Sequence, residues 1–491
     1  MNIITRHCIN PDIIVHYHDS ETYEYIRPYN YKDFCELIDR WKILLIEKYN
    51  VSPGQTICPI IGPNIFYYAM LFAAAELGLV IIVDWPHAYN EQDLHSYKMK
   101  MYGKIDFIST AKFLHDPEHP NYVYWEVQRD LMYGQVLLCE EDFHSYEIQN
   151  IELFNEMPTT IWATPSSPLV YSCSSGTTGA PKKIVNTHEK IYLMAQRLGS
   201  FYVEKNSSIL HTALIHHGAS ICYHFLPGFM FGKDQFTLST GGDDCPPSLP
   251  KFVNANKINQ LFLFTPRMIT EYLKHIEPAT HRVNIITLYQ IPADLLPLVK
   301  KKNINFIKSP FGDTTIGLGF FLKTVDQTTN EASYDVTNMG PVLDDFFQVE
   351  LRENRLYVSC PTLNEDWTTS DDQFEKIDDD YYFKGRDNQY RINVECIKLK
   401  DIEQQVKELF GPTGATIVID PEMQKIYLAV WEDKVEAEKK LETYLIDNYK
   451  GKINISYVLR GEIYNEFFLS RKIDNSKIRQ VCREIILSKG R

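Results

Sequence analysis

Residues 56 to 84 confine the fold more than any other stretch of the chain. TICPII reads as a strand, NIFYYAMLFAAAELG as a helix and LVIIVD as a second strand, with Asn64 placed to cap the helix and Gly78 placed to end it. Strand, helix and strand joined this closely form a crossover unit, and crossover units feed parallel sheets. The longest apolar run, FYYAMLFAAA, meets Glu76 and is far too short to span a bilayer.

The same texture continues downstream. Apolar bursts at QLFLF (260 to 264), NIITLY (284 to 289) and INFIKS (304 to 309) alternate with helical text such as PRMITEYLKHI, so a large α/β domain is expected. From Arg352 the short alternating stretches RLYVSC and DDDYYFKGR suit antiparallel strands. After residue 386 a small α+β unit begins with the helix KLKDIEQQVKELF, whose Leu399, Ile402, Val406 and Leu409 share a face. Strands GATIVID and KIYLAVW, the helix VEAEKKLETYLIDNYK and the strand ISYVL complete it. At 491 residues the chain exceeds what one core usually serves, so we expect a large domain over 1–385 and a small one over 386–491.

Formal charge and cysteine usage narrow the partners. A net charge of -14 argues against a general nucleic-acid or anionic-membrane partner, because such binding needs basic surface, so any anionic ligand requires a local site. The 10 cysteines are scattered without a CxxC pair or zinc-ligand spacing, and the N-terminus MNIITRHCINPDIIVHYHDS lacks the apolar core of a secretory signal. We therefore expect reduced thiols, a cytoplasmic location and no membrane insertion.

The stretch YSCSSGTTGAPKKIVNTH, residues 171 to 188, is the first chemical candidate. Its loop follows the apolar strand PLVYSC and precedes the extended stretch KKIVN, with a helix from about Thr187 that puts Ile191, Met194, Ala195 and Leu198 on one face. Gly176 and Gly179 stand too close together for an NTPase P-loop, and no helix starts at the loop itself. Hydroxyls from Ser174, Ser175, Thr177 and Thr178, backbone N–H groups freed by glycine and the charge of Lys182 are nevertheless parts of a phosphate cradle. Taken alone, the loop reads equally well as a solvated Ser/Gly turn.

SSGTTGAPKK followed by His188 resembles the signature of the adenylate-forming superfamily, which includes acyl-CoA synthetases, firefly-type luciferases and the adenylation domains of peptide synthetases. The chain matches that pattern except at Lys183, where the family has glycine. Further stretches resemble the family's motifs in the same order and cover nearly the whole chain. They are GPNIFYYAMLFAAAELGLVIIVDWP, LIHHGASICY, FGDTT, WTTSDD, GRDNQYRI and SRKIDNSKI.

The resemblance implies ATP-dependent activation of a small carboxylic acid to an acyl-AMP with release of pyrophosphate. Transfer to a thiol would follow, either of coenzyme A or of a phosphopantetheine carrier. Loop residues Ser174, Ser175, Gly176, Thr177, Thr178 and Gly179 would hold the β- and γ-phosphates with Lys182. Phe311 would stack on adenine within Phe311-Gly312-Asp313, and Thr314 would contact the α-phosphate. Asp371 would accept the ribose hydroxyls, with Arg386 assisting and Phe383 packing nearby. Lys472 would bridge the α-phosphate and the reacting carboxylate, which with Thr314 and Thr178 makes the catalytic set. Asp387 or Asn388 would be the hinge about which a small mobile α+β domain rotates. The fold so implied is α/β, a large N-terminal adenylate-forming domain with mixed sheets and flanking helices plus that small lid.

Several positions depart from the family pattern. Thr315 stands where a glutamate helps hold magnesium, a weaker ligand that leaves Mg2+ leaning on phosphate oxygens with Asp313 helping. Arg471 and Ser370 replace glycines, and Val394 or Glu395 replaces the glycine that lines the thiol channel. These departures keep open a catalytically impaired AMP- or acyl-AMP-binding protein of the same fold. His217-Gly218-Ala219-Ser220 stands where amino-acid-activating domains carry an aspartate for the α-ammonium, so an α-amino acid is disfavoured. His216, His217 and Gly218 are expected to border the acid, the alternatives being a buried structural histidine or a metal ligand. The chain ends soon after Lys472, so a carrier protein is expected to be a separate partner.

Overall fold

A computed structural model describes residues 3–18, 25–59, 64–83, 105–110, 135–138, 160–173, 183–212, 221–237, 249–263, 266–275, 281–288, 290–291, 293–313, 317–335, 337–343, 346–363, 365–386, 389–392, 395–411, 414–420, 425–431, 435–448, 455–460, 468–469, 472–473 and 475–489. Strands β1 (Ile14–His18) and β2 (Tyr25–Asn30) lead into α1 (Tyr31–Glu47), which Asn30 and Asp33 start with a reciprocal capping box. The crossover follows as β3 (Thr56–Pro59), α2 (Ile65–Glu76) and β4 (Val80–Ile82). Asn64 caps α2 by accepting from Tyr67 N–H at 2.7 Å. Gly78, at φ +68°, ends it by letting Leu79 N–H reach back to the Ala74 carbonyl at 2.9 Å. The strands pair in parallel, with Thr56 beside Val80.

Strands β5 (Phe107–Thr110), β6 (Gln135–Leu138), β7 (Pro168–Cys173) and β8 (Lys183–Thr187) extend this pair into a six-stranded sheet. Its order is β6-β5-β3-β4-β7-β8, parallel apart from the antiparallel β7–β8 hairpin. Every residue of α2 is buried. That accords with a helix apolar all round, sandwiched on every side.

Glu76 is the exception in chemistry but not in burial. Its carboxylate accepts from Arg6 N–H (2.9 Å), Arg6 Nε (3.0 Å), Arg6 Nη2 (2.8 Å) and Lys42 Nζ (3.0 Å), while Arg6 also pairs with Asp39. Two cations and two carboxylates thus balance inside the core, joining the N-terminus, α1 and α2. Burial pushes the Glu76 carboxyl up, yet its bonds to Arg6 and the nearby Lys42 charge outweigh burial and hold it below the usual carboxylate range.

The second sheet is assembled from α3 (His188–Tyr202), β9 (Ser208–His211), α4 (Leu226–Phe231), β10 (Asp234–Thr237), α5 (Leu249–Ala255), β11 (Gln260–Phe262), α6 (Pro266–His275), β12 (Val283–Ile286), α7 (Leu296–Lys301), β13 (Ile304–Asp313) and β14 (Gly317–Asp326). The eight strands run β14-β13-β12-β11-β9-β10-β1-β2. The inner six are parallel, and β14 and β2 close the two margins antiparallel. Ile191, Met194, Ala195 and Leu198 of α3 are buried, as their spacing foretells. Four antiparallel strands come next, β15 (Gln348–Arg352), β16 (Arg355–Cys360), β17 (Glu365–Ile377) and β18 (Asp380–Arg386).

Beyond Arg386 lie β19 (Gln389–Ile392), β20 (Glu395–Lys398), α8 (Leu399–Phe410), β21 (Ala415–Asp420), β22 (Lys425–Val430), α9 (Val435–Asn448), β23 (Ile455–Arg460), β24 (Phe468–Leu469), β25 (Lys472–Ile473) and α10 (Asn475–Lys489). Alternation along β21 divides two small cores. Ile417 and Ile419 face Ile402, Val406, Leu441 and Leu445 of α8 and α9, while Val418 faces Ile478 and Cys482 of α10. Arg483 forks onto the buried Asp420, which also accepts from Tyr427 Oη at 3.1 Å, so α10 is clamped to the sheet. Among the described residues no helix is long and apolar enough to cross a membrane.

Candidate functional site

In open α/β sheets ligands gather beyond the carboxyl ends of the parallel strands, and β7 reaches its carboxyl end at Cys173, the residue before the expected phosphate loop. Cys173 pairs with Lys183 in the antiparallel β7–β8 hairpin. Ser174, Ser175, Gly176, Thr177, Thr178, Gly179 and Lys182 themselves lie outside the described residues. At the mouth of the hairpin, Lys183 holds its ammonium 3.6 Å from the centroid of the Tyr171 ring, a cation–π contact on the shared sheet face. Partial burial lowers the pKa of this lysine.

A second candidate group forms where β13 meets β18. Phe311 and Gly312 lie near the carboxyl end of β13, which Asp313 ends; Thr314 and Thr315 lie outside the described residues. The half-buried Phe311 ring packs against Phe320 (5.9 Å between centroids), Phe321 (6.1 Å), Phe374 (5.4 Å) and Phe383 (6.1 Å). Such aromatic pairs each contribute about 0.5–1.5 kcal/mol beyond burial. Phe374 belongs to β17 and Phe383 to β18, and the two are opposite one another. In the same ladder Asp372 pairs with Arg386, which puts the backbone of Asp371 one residue from that of Arg386 across the sheet. The side chains of Asp371 and Arg386 are outside the described set.

A backbone strap brings these strands together. Residues 337 to 343 bond β18 on one side, with Phe383 N–H to Thr337 O at 2.8 Å and Met339 N–H to Tyr381 O at 2.8 Å. On the other side they bond β14, with Leu343 N–H to Phe320 O at 2.9 Å. Gly340 makes the strap possible: its φ is +84°, and a Cβ there would run into the Leu322 carbonyl.

The remaining expected residues are scattered over other elements. Lys472 opens β25 and pairs with Leu469, just ahead of α10, with its side chain outside the described set. Asp387 and Asn388, between β18 and β19, and His216, His217 and Gly218, between β9 and the π-helical turn Ile221–Phe225, are also outside it. Among the described residues no group of three His, Cys, Asp or Glu side chains stands close enough to hold a metal ion.

Among the described residues four histidines are buried, His18, His188, His211 and His224, and none was singled out by its chemistry in the sequence. His188, the first residue of α3, is fully buried and neither ring nitrogen has a partner; burial lowers its pKa from 6.5 to about 4. His211 and His224 sit together behind the carboxyl ends of β9 and β11, their ring centroids 4.5 Å apart, and burial lowers both, His211 to about 4. The nearest sequence signal is the HHG segment at 216 to 218, which lies between His211 and His224.

His188 gives a pH prediction. Its folded pKa lies below the unfolded one, so the unfolded chain binds the proton first; stability is complete above pH 6.5 and lost as pH falls towards 4. Lowering pH from 7.5 to 5 is expected to cost about 2 kcal/mol through this residue. Urea unfolding of wild type and His188→Phe at both pH values checks it: the variant should lose about that much less.

Comparison with known proteins agrees with the topology. Residues 14–288 match the family model described as AMP-binding enzyme. Among solved structures, a fatty acyl-adenylate ligase of E. coli or L. pneumophila aligns with a TM-score of 0.72 at 13% identity, covering 97% of this chain and 96% of that one. McyG A-PCP complexed with phenylalanyl-adenylate aligns at 0.72 and 16%, covering 100% and 97%. The O-succinylbenzoate coenzyme A synthetase of Bacillus subtilis, in complex with ATP and a magnesium ion, aligns at 0.69 and 12%, covering 96% and 98%. At these identities the structural likeness establishes the fold. The sequence matches none of the curated proteins compared with it.

Proposed function

The chain belongs to the family of AMP-binding enzymes, and from that premise we propose that it activates a carboxylic acid with ATP. A carboxylate oxygen attacks the α-phosphorus, the bond from that phosphorus to the bridging oxygen of pyrophosphate breaks, and an acyl-AMP forms. Transfer to a thiol, of coenzyme A or of a separate carrier, follows. The observation that carries the reading is the aromatic group around Phe311, because it joins the strand end expected at adenine to Phe383 and the Asp371–Arg386 ladder expected at ribose. A base needs an aromatic face and a ribose needs a carboxylate; the Phe311 ring packed on Phe374 and Phe383, and the backbone register that sets Asp371 near Arg386, support that reading.

Two anions meet in this reaction, so the barrier is one of charge and positioning. Hydroxyls and N–H groups of residues 174 to 179 with Lys182 cradle the outer phosphates. Asp371 fixes the ribose, Thr314 contacts the α-phosphate, and Lys472 sets the carboxylate in line with it. Magnesium, when bound, neutralises phosphate charge; with Thr315 in place of a carboxylate, Asp313 and phosphate oxygens are its available ligands. Residues 386–491 act as the small mobile domain, turning about Asp387 and Asn388 so that the anhydride is exposed to the thiol.

The test is magnesium-dependent exchange of labelled pyrophosphate into ATP with a broad panel of acids, followed by mass spectrometry of the retained adenylate. Tight AMP binding without exchange for any acid identifies a catalytically silent nucleotide-binding protein instead. Within the enzyme, Phe311→Ala is expected to raise the KM for ATP about tenfold through lost stacking while changing kcat less. An unchanged KM in steady-state kinetics rejects the adenine role.

A further inference from the structure

His211 and His224 share a buried layer between the eight-stranded sheet and helices α2 and α4. His211 lies against Tyr68 (5.2 Å between centroids) and Phe229 (5.5 Å), and His224 stacks on Phe262 at 4.5 Å and 12°. Their exposure is 0% and 4%. Hydrogen bonds fix which nitrogen of each ring carries the proton. Gln235 donates its amide N–H to the Gly228 carbonyl at 3.0 Å, so its oxygen faces His211 Nε2 at 2.6 Å and accepts from it. His211 Nδ1 is therefore a bare acceptor, and it has no partner. His224 donates to the Leu210 carbonyl, and because its Nε2 has no partner the donor is Nδ1. The result is a second bare acceptor.

Two buried acceptors in adjoining rings, both without a donor, are an unusual expense in a folded core. Their place is informative. His211 ends β9 at the carboxyl edge of the parallel strands, where open α/β sheets bind ligands, and His224 lies in a π-helical turn, a form frequent at functional sites. Nothing charged is needed to complete them. An ammonium stripped of water among Tyr68, Phe225, Phe229 and Phe262 would be costly, whereas a neutral O–H or amide N–H meets the need.

We propose that His211 Nδ1 and His224 Nε2 read the acyl portion of the substrate, so that the preferred acid carries a neutral hydrogen-bond donor, such as a hydroxyl, on its chain. The inference rests on the adenylation reading for the identity of the ligand as an acid. A buried water is the rival occupant.

Matched acids decide between them. Each chain length is presented as a plain acid and as a hydroxy acid, in pyrophosphate exchange with ATP and separately as a melting-temperature shift without ATP. The hydroxy member is expected to exceed its partner by about 10- to 100-fold in kcat/KM at the fitting length, since the plain chain leaves acceptors unpaired. His224→Phe keeps the ring on Phe262 but removes Nε2, and should cut that ratio about tenfold; a purely structural role would lower both members alike. Failure of all exchange with hydroxy acids still raising the melting temperature more than their partners rejects adenylation and leaves this inference standing. Equal behaviour of the two members at every length, in both assays, leaves water as the occupant and overturns it.

Discussion

Lys472→Ala is expected to lower acid-dependent pyrophosphate exchange by about 100- to 1000-fold, the usual loss when one group aimed at transition-state charge is removed. Binding of AMP should change little, because adenine and ribose are assigned to Phe311, Asp371, Phe383 and Arg386, all on strands of the N-terminal sheets. A lysine suits the bridging role as a compact charge on a long stem, reaching between phosphate and carboxylate without a fixed fork geometry. The pairing of β24 with β25 places residue 472 at the turn end of a short hairpin, and the Arg483–Asp420 fork anchors the helix that follows. The measurement is exchange rate alongside AMP affinity and melting temperature. Retained exchange with an intact fold removes Lys472 from the mechanism.

The largest stability effect is expected at Glu76. Glu76→Ala leaves Arg6 and Lys42 facing each other in the core without the carboxylate that serves both, and should cost about 3–5 kcal/mol, the range for breaking a buried pair from one side. Asp39 keeps Arg6 partly served, whereas Lys42 is fully buried and loses its bond to Glu76. Combining Lys42→Met with Glu76→Ala should recover part of the loss, since it removes a cation as well. Urea unfolding of the single and double variants gives the coupling directly. Additive losses would show that the pair is not the unit of stabilisation.

Glu76 also illustrates what could be read from the sequence. In the sequence Glu76 is simply the charged residue that interrupts FYYAMLFAAA; the structure buries it, because its partners come from 34 and 70 residues away. Local signals fared better. Asn64 and Gly78 bound α2 as their chemistry requires, and the face of Leu399, Ile402, Val406 and Leu409 packs inward on α8. The parallel pairing of β3 with β4 follows from crossover handedness and was legible too, whereas that of β1 with β10 spans about 220 residues and leaves no local trace. At the candidate site, motif order named Phe311 and Phe383, but their meeting depends on long-range elements, the strap at 337–343 and Phe374 packed against both rings. His211 and His224 stayed hidden because an unpaired ring nitrogen is a property of packing, absent from any spacing of letters.

The strap has a consequence for what moves. By tying β14 to β18 through one short run of backbone, it makes the strands proposed to hold adenine and ribose a single floor that ends at Arg386. On the proposed function, a rotation about the hinge proposed at residue 387 would leave that floor behind. A nucleoside lying on it would stay put while the cover above it is exchanged, so an adenylate formed under one cover could wait for its acceptor under the next.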